Sequence, residues 1–209
     1  MTRRGTSRPP RRPARAGAAL GTWALIGLVL VAIAGCNKAR TPEEALRRFR
    51  EAVNAGDPAA LFDALDQRSR WAWMTVQKSH REAYDIILSN YPEGHERERE
   101  LHRFERGATL GSARALFAEE LGRPALAGLR ALAAPDTNAR IELAPDGESA
   151  TALLASGARV PLRHGENGTW GFAGFAAESE ERQNRALQDV NLVRVNAADY
   201  ERAATRNAR

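Results

Sequence analysis

The beginning of the chain most constrains what it can fold into, because it holds a segment that an ordinary soluble domain lacks. Six arginines precede residue 16, an unbroken apolar run extends from Ala16 to Gly35, and the only cysteine, Cys36, follows. A basic head, an apolar stretch and small residues at its end are typical of an export signal. We therefore expect the folded domain to be built from the residues that follow.

The segment Ile33–Cys36, Ile-Ala-Gly-Cys, resembles the lipobox of bacterial lipoproteins. In that family a dedicated peptidase cuts before the cysteine, and a diacylglycerol is attached to its thiol. The resemblance implies that residues 1–35 are a cleaved signal peptide and that residues 36–40 are the lipidated cysteine and a short tether. It also implies a membrane partner, reached through diacylglyceryl-Cys36, and a location in the bacterial cell envelope, facing the periplasm or the exterior.

Two alternatives remain for the apolar run. It is long enough to stay in place as a single transmembrane anchor, since about 20 apolar residues cross a bilayer, or it is an ordinary apolar helix. The small residues directly before Cys36 favour cleavage. In both export interpretations, the basic head stays on the cytoplasmic side and residues 37–209 lie outside.

The basic charge of the chain belongs to its head. The chain has 31 Lys and Arg against 26 Asp and Glu, and removing the six arginines of the head leaves 25 against 26, a net charge of −1. The remainder shows no clustered basic and aromatic pattern of the kind that binds single-stranded nucleic acid. We therefore expect no nucleic-acid partner.

Helix signals dominate the first half of the expected domain, residues 41–204, which precedes a polar tail at 205–209. The segment Thr41–Glu44 supplies an N-cap hydroxyl, a proline at the first helical position and a glutamate three residues on. Gly56 ends this helix, and Asp57–Pro58 repeat the start signal for a second one. Spacing and capping predict further helices over residues 71–91, 96–106, 112–121, 125–133, 178–190 and 197–204.

Strand signals begin at Pro135. Short runs separated by Asp146–Gly147, Ser156–Gly157 and Asn167–Gly168 predict an antiparallel meander, because Asp-Gly and Asn-Gly pairs favour tight hairpin turns. The four predicted strands are residues 139–143, 149–155, 159–163 and 169–175. N-terminal helices followed by a β-meander and a closing C-terminal helix predict the α+β class.

This order of parts resembles NTF2-like domains. Residues 41–70 resemble their first helices, and the late Thr169–Phe172, with a Gly-x-Trp element ending at Trp170, resembles their closing strand. In that family a curved sheet wraps around long helices to form a cone with an apolar pocket. The resemblance covers residues 41–70 and 139–176, and the family includes many bacterial lipoproteins of unknown role.

The resemblance also identifies candidate catalytic residues. NTF2-like enzymes place acid, base and hydrogen-bonding groups inside the cone to move protons beside a carbonyl or an epoxide. His80, Tyr84 and Asp63 or Asp66 belong to these residue types, and a spacing of four puts His80 and Tyr84 on one helix face. That face is also apolar, so the alternative is a core histidine, and we assign no catalytic residue.

His95, Glu98 and His102 are candidate metal ligands, because spacings of three, four and seven along a helix place them on one side. The alternative is a solvated charged face, since the three lie in a run of charged residues, and we expect no metal. The chain has no phosphate-binding loop and no nucleophile elbow, so we expect no cofactor.

Trp71 and Trp73 lie close to the short tether in sequence. An indole ring near such a tether is favoured at a membrane interface, and the alternative is that one of the two closes the core between helices. Both alternatives stay open from the sequence.

Together these patterns predict a lipid-anchored envelope lipoprotein, whose domain is a noncatalytic module that binds an envelope protein partner or an apolar small molecule. One alternative is a cone enzyme of the isomerase, dehydratase or hydrolase type that acts on an apolar small molecule. The other is a structural or assembly factor of an envelope complex.

Overall fold

The structure, a computed structural model, describes residues 38–207, except for the side chains of residues 122–124. The expected signal peptide, residues 1–35, and the lipidation site Cys36 lie outside the described residues. Residues 38–207 form an α+β fold with a four-stranded antiparallel sheet and a long C-terminal helix, which confirms the predicted class. Residues 205–207 of the expected polar tail belong to that helix.

The helices are α1 Pro42–Ala55, α2 Pro58–Ala64, α3 Gln67–Asn90, α4 His95–Thr109, α5 Ala113–Ala133 and α6 Ala176–Asn207. The strands are β1 Arg140–Leu143, β2 Ser149–Leu153, β3 Arg159–His164 and β4 Trp170–Phe172. Each strand pairs with the next one along the chain, so the sheet is the predicted meander in the order β1-β2-β3-β4.

The first two helices begin and end as their capping residues predict. The Thr41 hydroxyl accepts a hydrogen bond from the Glu44 amide at 3.3 Å, and Asp57 accepts from the amides of Ala59 and Ala60. Gly56 ends α1 with a φ of 66°, a left-handed conformation that glycine adopts without steric cost. The tight corner between α1 and α2 therefore follows from local sequence.

Two predicted helix breaks were wrong. The backbone of α5 continues through residues 122–124, and α6 continues through residues 191–196. In α5, buried Phe117 and Leu126 lie on either side of the expected break, and in α6 Val193 continues the buried face. Tertiary burial on both sides outweighs the local cost of glycine and proline inside α5.

The buried side chains of residues 38–207 form two clusters. The sheet cluster joins α1, α2, α5 and the first half of α3 to the inner face of the sheet, and the Phe49 and Phe172 rings stack there with centroids 4.1 Å apart. The arm cluster joins the second half of α3 to α4 and α6. Its buried members are Ala83, Ile87, Tyr91, Phe104, Val190, Val193 and Ala197.

Asp66 connects the two kinds of secondary structure. Its carboxylate caps α3 by accepting from the amides of Arg68 at 3.0 Å and Ser69 at 3.3 Å, and its own amide donates to the carbonyl of Phe172 in β4 at 3.0 Å. Arg163 in β3 lies 3.6 Å from the same carboxylate. Because Asp66 is only 1 % exposed, its charge depends on these partners.

The close approach of β4 to this corner requires glycine. A Cβ atom on Gly171 would lie 2.4 Å from the carbonyl oxygen of Leu65 and 2.5 Å from the amide nitrogen of Asp66. Both neighbours are backbone atoms and cannot move independently. Glycine at this position therefore allows the sheet to hydrogen-bond to the start of α3.

We predict that Asp66→Ala lowers the free energy of unfolding by about 3 kcal/mol, because it removes a helix cap and leaves Arg163 without its buried partner. Asp57→Ala is the matched control, since Asp57 caps α2 in the same way at an exposed position, and it should cost about 1 kcal/mol. Urea unfolding of the two variants and the wild type measures both values. Equal losses in the two variants would contradict the connecting role of Asp66.

Candidate functional site

His80 lies in the middle of α3 and packs against α4. Its ring meets the Phe104 ring edge to face at 5.7 Å, and a Cβ atom on Gly107 would lie 2.1 Å from His80 Nδ1. Burial lowers the pKa of His80, Arg103 lowers it further, and Asp189 acts in the opposite direction. The environment therefore favours the neutral imidazole.

The other catalytic candidates lie elsewhere. Tyr84 is half-buried against the arm cluster, one turn beyond His80. Asp63 is exposed on α2, and its carboxylate accepts from Arg114 Nε of α5 at 3.0 Å. Asp66 is the buried cap of α3. The structure thus places His80 and Tyr84 on one helix, but it does not bring either carboxylate to them.

The metal candidates lie on the solvent side of α4. His95 and Glu98 are exposed, and His102 Nδ1 lies 3.4 Å from Glu105 Oε2 at the surface. Across residues 38–207, no group of three or more His, Cys, Asp or Glu side chains is placed to hold a metal ion.

A cleft between α5 and α6, which we call the α5–α6 cleft, is lined by both aromatic and polar groups. It holds about 170 Å³. Its lining residues are Trp73, Phe117, Glu120, Leu121, Ala125, Phe175, Glu178, Ser179 and Arg182. Trp73 Nε1 and Ser179 Oγ are both buried and have no hydrogen-bond partner among the described residues. Buried polar atoms of this kind normally have a partner in the protein, in water or in a ligand.

Charged groups close one side of the α5–α6 cleft. Arg182 lies over the Trp73 ring at 5.1 Å and forms ion pairs with Glu120 and Glu178. Burial raises the pKa of Glu120, whereas Arg182 and Arg106 oppose that rise. The guanidinium group is therefore held between an aromatic ring and two carboxylates, which compensate its charge.

The two neighbouring tryptophans have different surroundings. Trp73 is 4 % exposed and belongs to the sheet cluster, with its ring 5.2 Å from that of Phe117. Trp71 is 49 % exposed and Met74 is 55 % exposed. Together with Phe62, these two side chains line an open, mainly apolar groove of about 680 Å³ between α3 and the start of α5.

Sequence reasoning did not find the α5–α6 cleft. Trp73, Glu120 and Ser179 are far apart in the chain, and no motif links them. The one local signal is the i, i+4 pair of Glu178 and Arg182, which is also common on plain helix surfaces. Only the packing of α5 and α6 against α3 brings these groups together.

Comparisons of the chain with protein-family models, with curated protein sequences and with solved structures found no match. None of the helices within residues 38–207 combines the length and apolar character needed to cross a bilayer.

We predict that the protein loses stability on acidification because of His80. Its pKa is lower in the folded than in the unfolded protein, so the unfolded chain binds the extra proton more readily. The free energy of unfolding should therefore rise as the pH increases from the folded pKa towards about 6.5, the unfolded value, and fall again on acidification.

Urea unfolding of the wild type and His80→Gln at several pH values across this window tests the expectation. The stability difference between the two proteins should grow with pH and then level off. His102→Gln on the exposed side of α4 is the matched control. An unchanged pH slope in His80→Gln would show that His80 is not the group responsible.

Proposed function

We propose that this protein is a lipoprotein of the bacterial cell envelope, anchored through diacylglyceryl-Cys36, whose domain binds a small, mainly apolar molecule without transforming it. The observation that carries the binding role is that two residues lining the α5–α6 cleft have unpartnered buried groups, Trp73 Nε1 and Ser179 Oγ. The anchoring rests on the lipobox at Ile33–Cys36.

The chemistry of the lining indicates what the ligand carries. The indole Nε1–H can only donate a hydrogen bond, whereas the Ser179 hydroxyl can donate or accept. A carbonyl, ether or hydroxyl oxygen on the ligand is an acceptor suited to either group. Phe117 and Phe175 supply apolar walls for the remainder of the molecule. A cleft of about 170 Å³ limits the ligand to a small molecule or to the head of a longer one.

The noncatalytic assignment is supported by the dispersal of the acid–base candidates. His80 packs against Phe104, and Tyr84 packs against the arm cluster. Asp63 forms an ion pair with Arg114 at the surface. An enzyme using the α5–α6 cleft would depend on Glu120, whose carboxylate is paired with Arg182. General acid–base catalysis requires the reacting group to face the substrate, whereas the Glu120 carboxylate faces the guanidinium group of Arg182.

The NTF2-like architecture is part of the same proposal. Helix α1 packs across the inner face of the meander through the stacked Phe49 and Phe172 rings, an arrangement compatible with a sheet that wraps around helices. The candidate pocket differs from a cone interior, because it lies between two helices, α5 and α6. An assembly role for an envelope complex remains the alternative function, and co-purification of a stoichiometric protein partner would favour it.

We predict that native mass spectrometry of the protein, extracted from its own membranes in mild detergent, detects a bound small molecule on the wild type. Trp73→Phe keeps an aromatic ring but removes the donor, and Ser179→Ala removes the hydroxyl, so each should reduce the bound fraction several-fold. Trp170→Phe, outside the cleft, is the matched control. If no bound ligand is detected on the wild type or on any variant, the cleft holds ordered water instead, and the binding role is overturned.

The anchoring makes a separate prediction. Cys36→Ser removes the thiol that carries the lipid, so the precursor should remain uncut and lack the acyl mass that intact mass spectrometry detects on the wild type. Detergent-phase partitioning of both proteins gives a second measurement. A wild type without acyl mass on Cys36 would contradict the lipoprotein assignment, whatever the result for the α5–α6 cleft.

A further inference from the structure

One exposed face of α3 combines apolar and basic side chains. Its members follow helical spacings of three and four, and all five are exposed. They are Arg68, Trp71, Met74, Lys78 and Arg81, which we call the α3 face. A helix with tryptophan on an exposed side, flanked by lysine and arginine, is typical of segments that lie in a membrane interface.

The apolar part of this face has no role in the core. The other side of α3 supplies the buried residues Ala72, Trp73 and Val76, so the core is already complete without Trp71 and Met74. About half of each of these two side chains is exposed, at the edge of the open groove of about 680 Å³. Exposed apolar surface of this kind usually marks a contact with another molecule or with a membrane.

The start of the described chain lies near the beginning of α3, where the α3 face starts. The carbonyl of Ala39 accepts a hydrogen bond from the amide of Trp170 at 2.9 Å, and the Trp170 ring lies 5.1 Å from that of His164. His164 in turn lines one small cleft together with Arg68 and Trp71. Through the β3–β4 hairpin, residue 39 thus lies near the end of the α3 face that Arg68 and Trp71 form.

The distance to the lipid is short. Cys36 precedes Ala39 by three residues, which reach at most about 10 Å when fully extended. A lipid on Cys36 would therefore hold this end of the domain against the bilayer. Ala39 is 2 % exposed, so the chain is packed into the domain from this residue onward.

The charges of the face fit the lipid headgroups. Within residues 38–207, the side chains of Arg68, Lys78 and Arg81 form no ion pair, so they are available for phosphate groups. Glu148 and Glu166 line the small cleft together with Arg68 and Trp71, and the next acidic residue along the α3 face is Asp85. Each basic side chain close to an anionic membrane adds to the electrostatic attraction.

We propose that the α3 face lies on the surface of the bilayer to which Cys36 is anchored, with Trp71 and Met74 in the interface and the three basic side chains at the phosphates. This proposal rests on the lipid anchoring proposed above. It requires a bilayer that contains anionic phospholipid, and it gives the domain one fixed orientation, with the α3 face towards the membrane.

Fluorescence quenching by brominated lipid tests this orientation on the mature, lipidated protein, from which the signal peptide has been removed. The protein is placed in vesicles of phosphatidylcholine and phosphatidylglycerol. A variant with Trp73→Phe and Trp170→Phe keeps Trp71 as the reporter, and a variant with Trp71→Phe and Trp170→Phe keeps the buried Trp73 as the matched control. Lipid brominated near the headgroup should quench Trp71 several-fold more strongly than Trp73. Equal quenching in both variants would overturn the proposal.

A second measurement needs no change of tryptophan. Met74 is the only methionine left once the signal peptide is removed, and a water-soluble oxidant converts an accessible methionine to its sulfoxide. On the same vesicles, Met74 should be oxidised several-fold more slowly in the wild type than in Lys78→Glu/Arg81→Glu. Equal, rapid oxidation with acyl mass present on Cys36 would overturn the membrane contact alone, whereas a missing acyl mass would overturn the anchoring as well.

Discussion

The hydrogen-bonded corner at Asp66 is the contact on which the rest of the structure depends. One buried residue caps α3, bonds to the last strand and faces a guanidinium group from the strand before it. This fixes the direction of α3 relative to the sheet. Since α3 also contributes to the arm, to the α5–α6 cleft and to the α3 face, the positions of all three follow from this corner.

The direction of α3 gives its two sides different roles. Its inner side presents Trp73 to Phe117 and to the guanidinium group of Arg182, while its outer side presents Trp71 and Met74 to solvent. Two tryptophans separated by a single residue therefore serve two different surfaces. In the proposed account, one surface binds a small ligand and the other meets the membrane.

Local signals predicted much of the fold. Helix caps and hairpin turns involve residues close in sequence, so they can be predicted without knowledge of the tertiary structure. The examples here are the caps at Thr41 and Asp57 and the turns at Gly147 and Gly168. The continuity of α5 was missed because it depends on burial against distant helices. The exposure of Trp71 and the burial of Trp73 stayed open for the same reason.

The candidate site could not be predicted from the sequence. His80 and Tyr84 share a helix face as their spacing indicates, but that face packs on α4, away from both candidate carboxylates. The groups that line the α5–α6 cleft come from α3, α5 and α6 and from the segment before α6. Their proximity is a property of tertiary packing, and no short-range pattern encodes it.

A high-resolution crystal structure of the protein, purified from its own membranes without removal of bound ligand, tests the binding role most directly. The account predicts electron density for an organic molecule in the α5–α6 cleft, with an acceptor atom within hydrogen-bond distance of Trp73 Nε1 and Ser179 Oγ. Density for isolated water molecules bonded to these two atoms would contradict it, because the buried polar groups would then need no other partner.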